Sequence, residues 1–93
     1  MFIGVLRLEL YLHATSSLKD KRLIIKSLKT RLRNRFNVSV TEVDHLDKWQ
    51  RSSIGIALVT NDRRFIDSVF SKVLNFVLRD SRIEIIDEVI DVL

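Results

Sequence analysis

The chain contains no cysteine and no proline, and only two glycines, Gly4 and Gly55. Without cysteine there is no disulfide framework, no thiolate metal site and no thiol nucleophile. Two isolated glycines cannot make a Gly-rich phosphate loop, and no G-x-S-x-G elbow is present. The apolar stretch at residues 2–12 is interrupted by Arg7 and Glu9, and no basic segment precedes it. A signal peptide or a membrane span is therefore not expected. Methionine and glutamine each occur once, and 30% of residues are charged, a composition that leans towards heat-adapted proteins.

What is present is enough for one small domain over residues 1–93, with 46% hydrophobic residues to fill a dense core. The net charge is +4, and it is unevenly spread. Residues 17–36 hold Lys19, Lys21, Arg22, Lys26, Lys29, Arg31, Arg33 and Arg35 against Asp20 alone. Residues 80–93 hold Asp80, Glu84, Asp87, Glu88 and Asp91 against Arg82 alone. Such a split presents a basic face to a partner.

Residues 2–13 alternate with period two, which predicts a strand with Leu6, Leu8, Leu10 and Leu12 on its buried face. Ser17, with Asp20 three residues on, predicts a helix start, and Ile25, Leu28, Leu32 and Phe36 continue at helical spacing. A second strand is expected over 37–44, a turn over 45–48 and a third strand over 49–60. Asn61 or Asp62 caps a second helix with a core stripe of Ile66, Val69, Phe70, Val73 and Val77. A last strand over 82–93 slips in phase between Ile85 and Ile86, the mark of a bulge. The order βαββαβ predicts an α+β, ferredoxin-like fold: a four-stranded antiparallel sheet of order 4-1-3-2, both helices on one face and the other face open. Acylphosphatases share this topology, but their Gly-rich anion loop has no counterpart here, and a shared fold does not carry function.

The segments SLKDKR (17–22), RFNVSVTEVD (35–44) and DxWQR (47–51) resemble the YlxP-like family of small bacterial proteins of unknown function. The resemblance spans essentially the whole chain. It implies a ferredoxin-like fold, a cytoplasmic location and a genomic neighbourhood of translation and ribosome-maturation genes. It implies no activity and no catalytic residues.

Three groups of residues are candidates for function. Lys19, Arg22, Lys26, Lys29 and Arg33 recur at steps of three and four along one edge of the first helix. Their row is about 20 Å long and nearly free of acids, which suits a phosphate backbone better than an ordinary solvated face with i,i+4 ion pairs. His13, Lys21, Asp44, Asp47, Trp49 and Arg51 are expected at one rim of the sheet, as an anion or small-molecule site. The alternative there is that Asp47 caps a turn, Trp49 closes the end of the core and the lysines are solvated. The spacing of His13, Asp44, His45 and Asp47 matches no metal-ligand pattern, so no metal or cofactor is expected. Lys21 falls in phase with Ile25, Leu28 and Leu32, so it must snorkel past the rim or pair with an acid. The third group, Ile3, Val5, Ala57 and Val59, lies on the open sheet face and is expected to form a homodimer interface. That face lacks the central aromatic pair with which RNA-recognition domains of this topology stack bases.

The leading expectation is a non-enzymatic module that contacts RNA or a ribosomal particle through its first helix. The alternatives are an anion-binding module at the rim and a protein–protein adaptor that dimerises through the sheet face.

Overall fold

The computed structural model describes all 93 residues. The elements are β1 (Phe2–Leu12), α1 (Leu18–Arg35), β2 (Ser39–Asp44), β3 (Arg51–Thr60), α2 (Arg63–Leu78) and β4 (Ile83–Val92). All pairings are antiparallel and the sheet order is β2-β3-β1-β4, the expected ferredoxin-like arrangement. No helix is long and apolar enough to cross a membrane.

The period of two in β1 puts Leu6, Leu8, Leu10 and Leu12 fully under the helices. Ile54, Ile56 and Leu58 of β3 join them, and Val40 does so from β2. Ile25, Leu28 and Leu32 of α1 and Ile66, Phe70, Val73 and Val77 of α2 close the other side. Each fully buried Leu, Ile or Phe contributes about 1.5–3 kcal/mol against the exposed state. The core therefore rests on apolar burial between one sheet face and two helices. Gly4 lies on that same face, beneath α2. A Cβ there would stand 2.7 Å from Ile66 Cγ2 and 3.2 Å from Phe70 Cε2, so glycine is what allows α2 to sit this close.

Ser17 caps α1 as expected, its hydroxyl accepting from the Asp20 amide at 3.1 Å. The reciprocal bond is shifted by one residue, because the Asp20 carboxylate takes the amide and hydroxyl of Ser16, not the amide of Ser17. These bonds, the Ser16 hydroxyl first, hold the Asp20 carboxyl below its ordinary value. Of the two possible caps for α2, Asp62 is used, accepting from the Arg64 amide at 3.0 Å.

The phase slip in the last strand is a bulge opposite Glu9 and Leu10, which leaves Ile86 unpaired. Two strands start later than their patterns suggest. β2 begins at Ser39 because the Val38 amide turns back to the Phe36 carbonyl. β3 begins at Arg51: the Gln50 carbonyl still accepts from the Leu12 amide in the β1 register, but the Trp49 carbonyl turns to the Thr15 hydroxyl. The edges of the sheet differ in charge. β4 exposes Glu84, Asp87, Glu88 and Asp91, a row that discourages edge-to-edge pairing, while β2 runs beside the basic side of α1.

Candidate functional site

α1 lies over the sheet near the β2 edge and leaves a shallow groove of 340 Å³ lined by Arg22, Ile25, Lys26, Lys29, Thr30, Arg33 and Glu42. Four of the five stripe residues line this groove, and Lys19 continues the row towards the start of the helix. Lys19, Arg22, Lys26 and Arg33 are exposed, and Lys29 is half-buried. None of the five forms an ion pair. Arg33 is steadied by donating from Nη2 to the Val40 carbonyl at 2.6 Å, which ties the stripe to the edge strand.

The one acid in the groove, Glu42, is already neutralised. Lys21 is fully buried, and its ammonium lies 2.5 Å from Glu42 Oε2. The same ammonium donates to the His45 carbonyl at 2.7 Å, and the Ser52 hydroxyl donates to Glu42 at 2.6 Å. His45 makes this possible by adopting the left-handed region, with φ of 61°, in a turn closed by the Lys48 amide on its carbonyl. Of the two ways out for a lysine in a core phase, the structure uses the ion pair. The electrostatic result is a groove whose only carboxylate is spent inward while its cations face out.

The expected rim cluster does not converge. His13 turns towards β4, with Nε2 2.9 Å from Glu84 Oε1 and its ring edge-on to Tyr11. Asp44 lies on the open side of the sheet, accepting from the His45 amide and standing 3.6 Å from Arg7 Nη2. Lys21 lies on the helix side, where its ammonium is committed to Glu42 and is not offered to an anion. Asp47 is exposed and caps nothing, since the 45–48 turn is closed by backbone alone. Trp49 is 44% exposed and does not close the core. Its carbonyl, not its ring, anchors the loop by accepting from Thr15 at 2.7 Å. The polar cap of Lys21, Glu42 and Ser52 occupies the end of the core that the indole was expected to fill. Arg51 stands across from Tyr11 on the open face, half-buried, with its Nε unpartnered. No group of three His, Asp or Glu side chains is arranged to hold a metal ion.

The open face is divided into two halves. Ile3, Val5, Ala57 and Val59 cluster near the start of β1, with Val59 64% exposed. Towards the other end, Arg7 donates to Glu9 at 2.9 Å and the Ser53 hydroxyl makes a short bond to the same carboxylate. Those two bonds, Ser53 first, hold the Glu9 carboxyl below its ordinary value. Lys21, Ser52 and Ser53 are fully buried, and the half-buried Glu9 and Glu42 are their carboxylate partners. The sequence signal for Glu42 is its place two residues after Val40, in the inward phase of β2.

Comparison with known proteins places nearly the full length of the chain in one family. Residues 3–90 match the family described as "Protein of unknown function (DUF503)". The chain belongs to this family. It is similar to "Uncharacterized protein YlxP" of Bacillus subtilis (strain 168), 40% identical over 75 residues, covering 81% of this chain and 82% of that protein. The match places the chain in the YlxP-like family of small bacterial proteins.

Proposed function

We propose that this DUF503 member is a non-catalytic, cytoplasmic binding module that contacts RNA, as free strands or on a ribosomal particle, through the groove between α1 and β2. The supporting observation is the row Lys19, Arg22, Lys26, Lys29 and Arg33, none of it ion-paired, beside a glutamate silenced by a buried lysine. Cations held this way by a helix meet successive phosphates and release their counterions on binding, without reading sequence. The acidic β4 edge lies at the far side of the sheet, so the molecule is polarised and approaches a polyanion α1 first. A salt series of RNA binding tests this reading, and a flat response of affinity to salt overturns it.

A second reading concerns self-association. The aliphatic half of the open face, with Val59 and its neighbours in water, fits a second copy of the chain better than solvent. A homodimer through this face leaves both basic grooves free.

A further inference from the structure

A second groove runs between the helices, on the side of α1 away from the basic stripe. Its walls are the last turn of α1 and the length of α2. It has two chambers that share Arg35, Phe36 and Lys72. The larger, 460 Å³, is completed by Asn37, Phe65 and Val69. The smaller, 130 Å³, is completed by Asn75, Phe76 and Arg79.

The two chambers differ in chemistry. In the larger one, Phe36, Phe65 and Val69 offer apolar walls, with Phe65 53% exposed, and Arg35 and Lys72 stand where it meets the smaller chamber. The Asn37 amide supplies a donor and an acceptor at its edge. The smaller chamber is lined by Arg35, Lys72, Asn75 and Arg79, and none of the three cations has a carboxylate within 4 Å. Arg31, on the same side of α1, is by contrast paired with Asp80 at 3.2 Å. The Arg35 guanidinium is held over the Phe76 ring, 5.5 Å from its centroid, and Phe76 is itself braced edge-on by Phe36. Arg35 is therefore positioned without having its charge neutralised.

A chamber with two phenylalanines in its wall, continuous with a small cationic chamber, suits a ligand with a ring at one end and a phosphate at the other. We propose that this groove binds a nucleoside monophosphate, with the base in the Phe36–Phe65–Val69 chamber and the phosphate on Arg35, Lys72 and Arg79. Apolar walls with an amide at the edge accept a base by its face and its polar rim. A bidentate guanidinium and an ammonium suit a terminal phosphate. The same unit occurs as a free nucleotide and at the phosphorylated end of an RNA strand, and both present this chemistry. The site shares no residue with the α1–β2 groove, so it stands or falls independently of that reading.

The test is an NMR titration of the full chain with AMP, adenosine, inorganic phosphate and a short RNA carrying or lacking a 5′-phosphate. AMP should saturate in the millimolar range or below and shift the ring resonances of Phe65 and Phe76, while adenosine and phosphate alone bind more weakly. Lys72→Glu should lower AMP affinity about tenfold or more, and Arg35→Lys should retain part of it. Lys26→Glu, in the other groove, should leave it unchanged. Shifts of Phe65 and Phe76 that saturate at lower concentration with the 5′-phosphorylated RNA than with its unphosphorylated twin or with AMP identify a strand end as the source. Equal shifts from the two RNAs with tighter AMP binding identify the free nucleotide. No saturable AMP binding overturns the proposal. So does inorganic phosphate binding as tightly as AMP, or Lys72→Glu leaving the affinity unchanged.

Discussion

The Lys21 ammonium sits 2.5 Å from Glu42 Oε2, with the lysine wholly out of solvent and the glutamate at the wall of the basic groove. The pair joins α1 to β2 and offsets the one carboxylate among the groove's four cations. Bringing two charges into a core end costs several kcal/mol of desolvation, so the pair is tolerated only because Ser52 and the His45 carbonyl complete its hydrogen bonds. Lys21→Met and Glu42→Leu should each cost about 3–5 kcal/mol of stability, since each strands the other charge. The double variant should cost clearly less than the sum of the two. Urea unfolding of the four proteins checks this, and additive losses would show that the charges do not act as a pair.

Asp80 plays a comparable part at the turn from α2 to β4. Its carboxylate accepts from Arg82 at 2.7 and 2.9 Å, from the Arg82 amide at 3.0 Å and from Arg31 at 3.2 Å. The Arg82 side chain, first among these causes, holds the Asp80 carboxyl well below the usual carboxylate range. A carboxyl depressed in the folded state stabilises at neutral pH, and the gain is lost as pH falls. Below about 4 the unfolded chain takes up the proton while the folded chain does not. Asp80→Asn should thus cost about 1–3 kcal/mol at pH 7. The gap to the wild type should narrow by about 1 kcal/mol near pH 3. Unfolding curves at the two pH values check the sign, and a gap that widens in acid would exclude this role.

These two ion pairs show where the sequence was readable and where it was not. Strand β1 and both helix stripes could be read from periodicity alone, because apolar burial on one face imposes it. The bulge at Ile86 was readable for the same reason, as a break in phase. Lys21 was visibly out of place in a core phase, but its partner was hidden. Glu42 had to be recognised as an acid facing inward on β2, and the pairing depends on a left-handed turn at His45 that no pattern announces. The rim reading failed on direction. Topology brought the ends of β1, β2 and β3 together, but the two faces of the sheet sent Lys21 one way and Asp44 the other, and His13 found Glu84 across β4. The bland alternative there failed too, because a buried polar cap closes the core end and leaves Trp49 outside.

The open sheet face makes a prediction about assembly. Ile3, Val5 and Ala57 are half-buried and Val59 is mostly in water, so a second copy laid face to face would cover them. Light scattering at high micromolar concentration should report a dimer, and Val59→Lys should return it to a monomer with its fold intact. A wild-type monomer at that concentration removes the sheet-face interface. A dimer that survives Val59→Lys moves it to the exposed Phe65 and Leu78 of α2.

The stripe on α1 carries the sharpest prediction. If Lys19, Arg22, Lys26, Lys29 and Arg33 each meet a phosphate, log affinity for single-stranded RNA should fall with log salt at a slope of roughly −3.5. Each cation removed should take about 0.7 from that slope, and should do so equally for unrelated sequences, because phosphate contacts position a strand without reading it. Lys26→Glu, Lys29→Glu and Arg33→Glu together should abolish binding. The fold should largely survive, since Lys26 and Arg33 are exposed, Lys29 is only half-buried, and none of them is ion-paired. Arg33 is the exception that can be tested alone. It donates to the Val40 carbonyl, so Arg33→Ala should lower both the salt slope and, by about 0.5–1.5 kcal/mol, the stability, whereas Lys26→Ala should lower the slope only. A wild-type slope near zero, or a triple variant with undiminished affinity, would leave the cations of α1 as a solvated face and the groove without a polyanion.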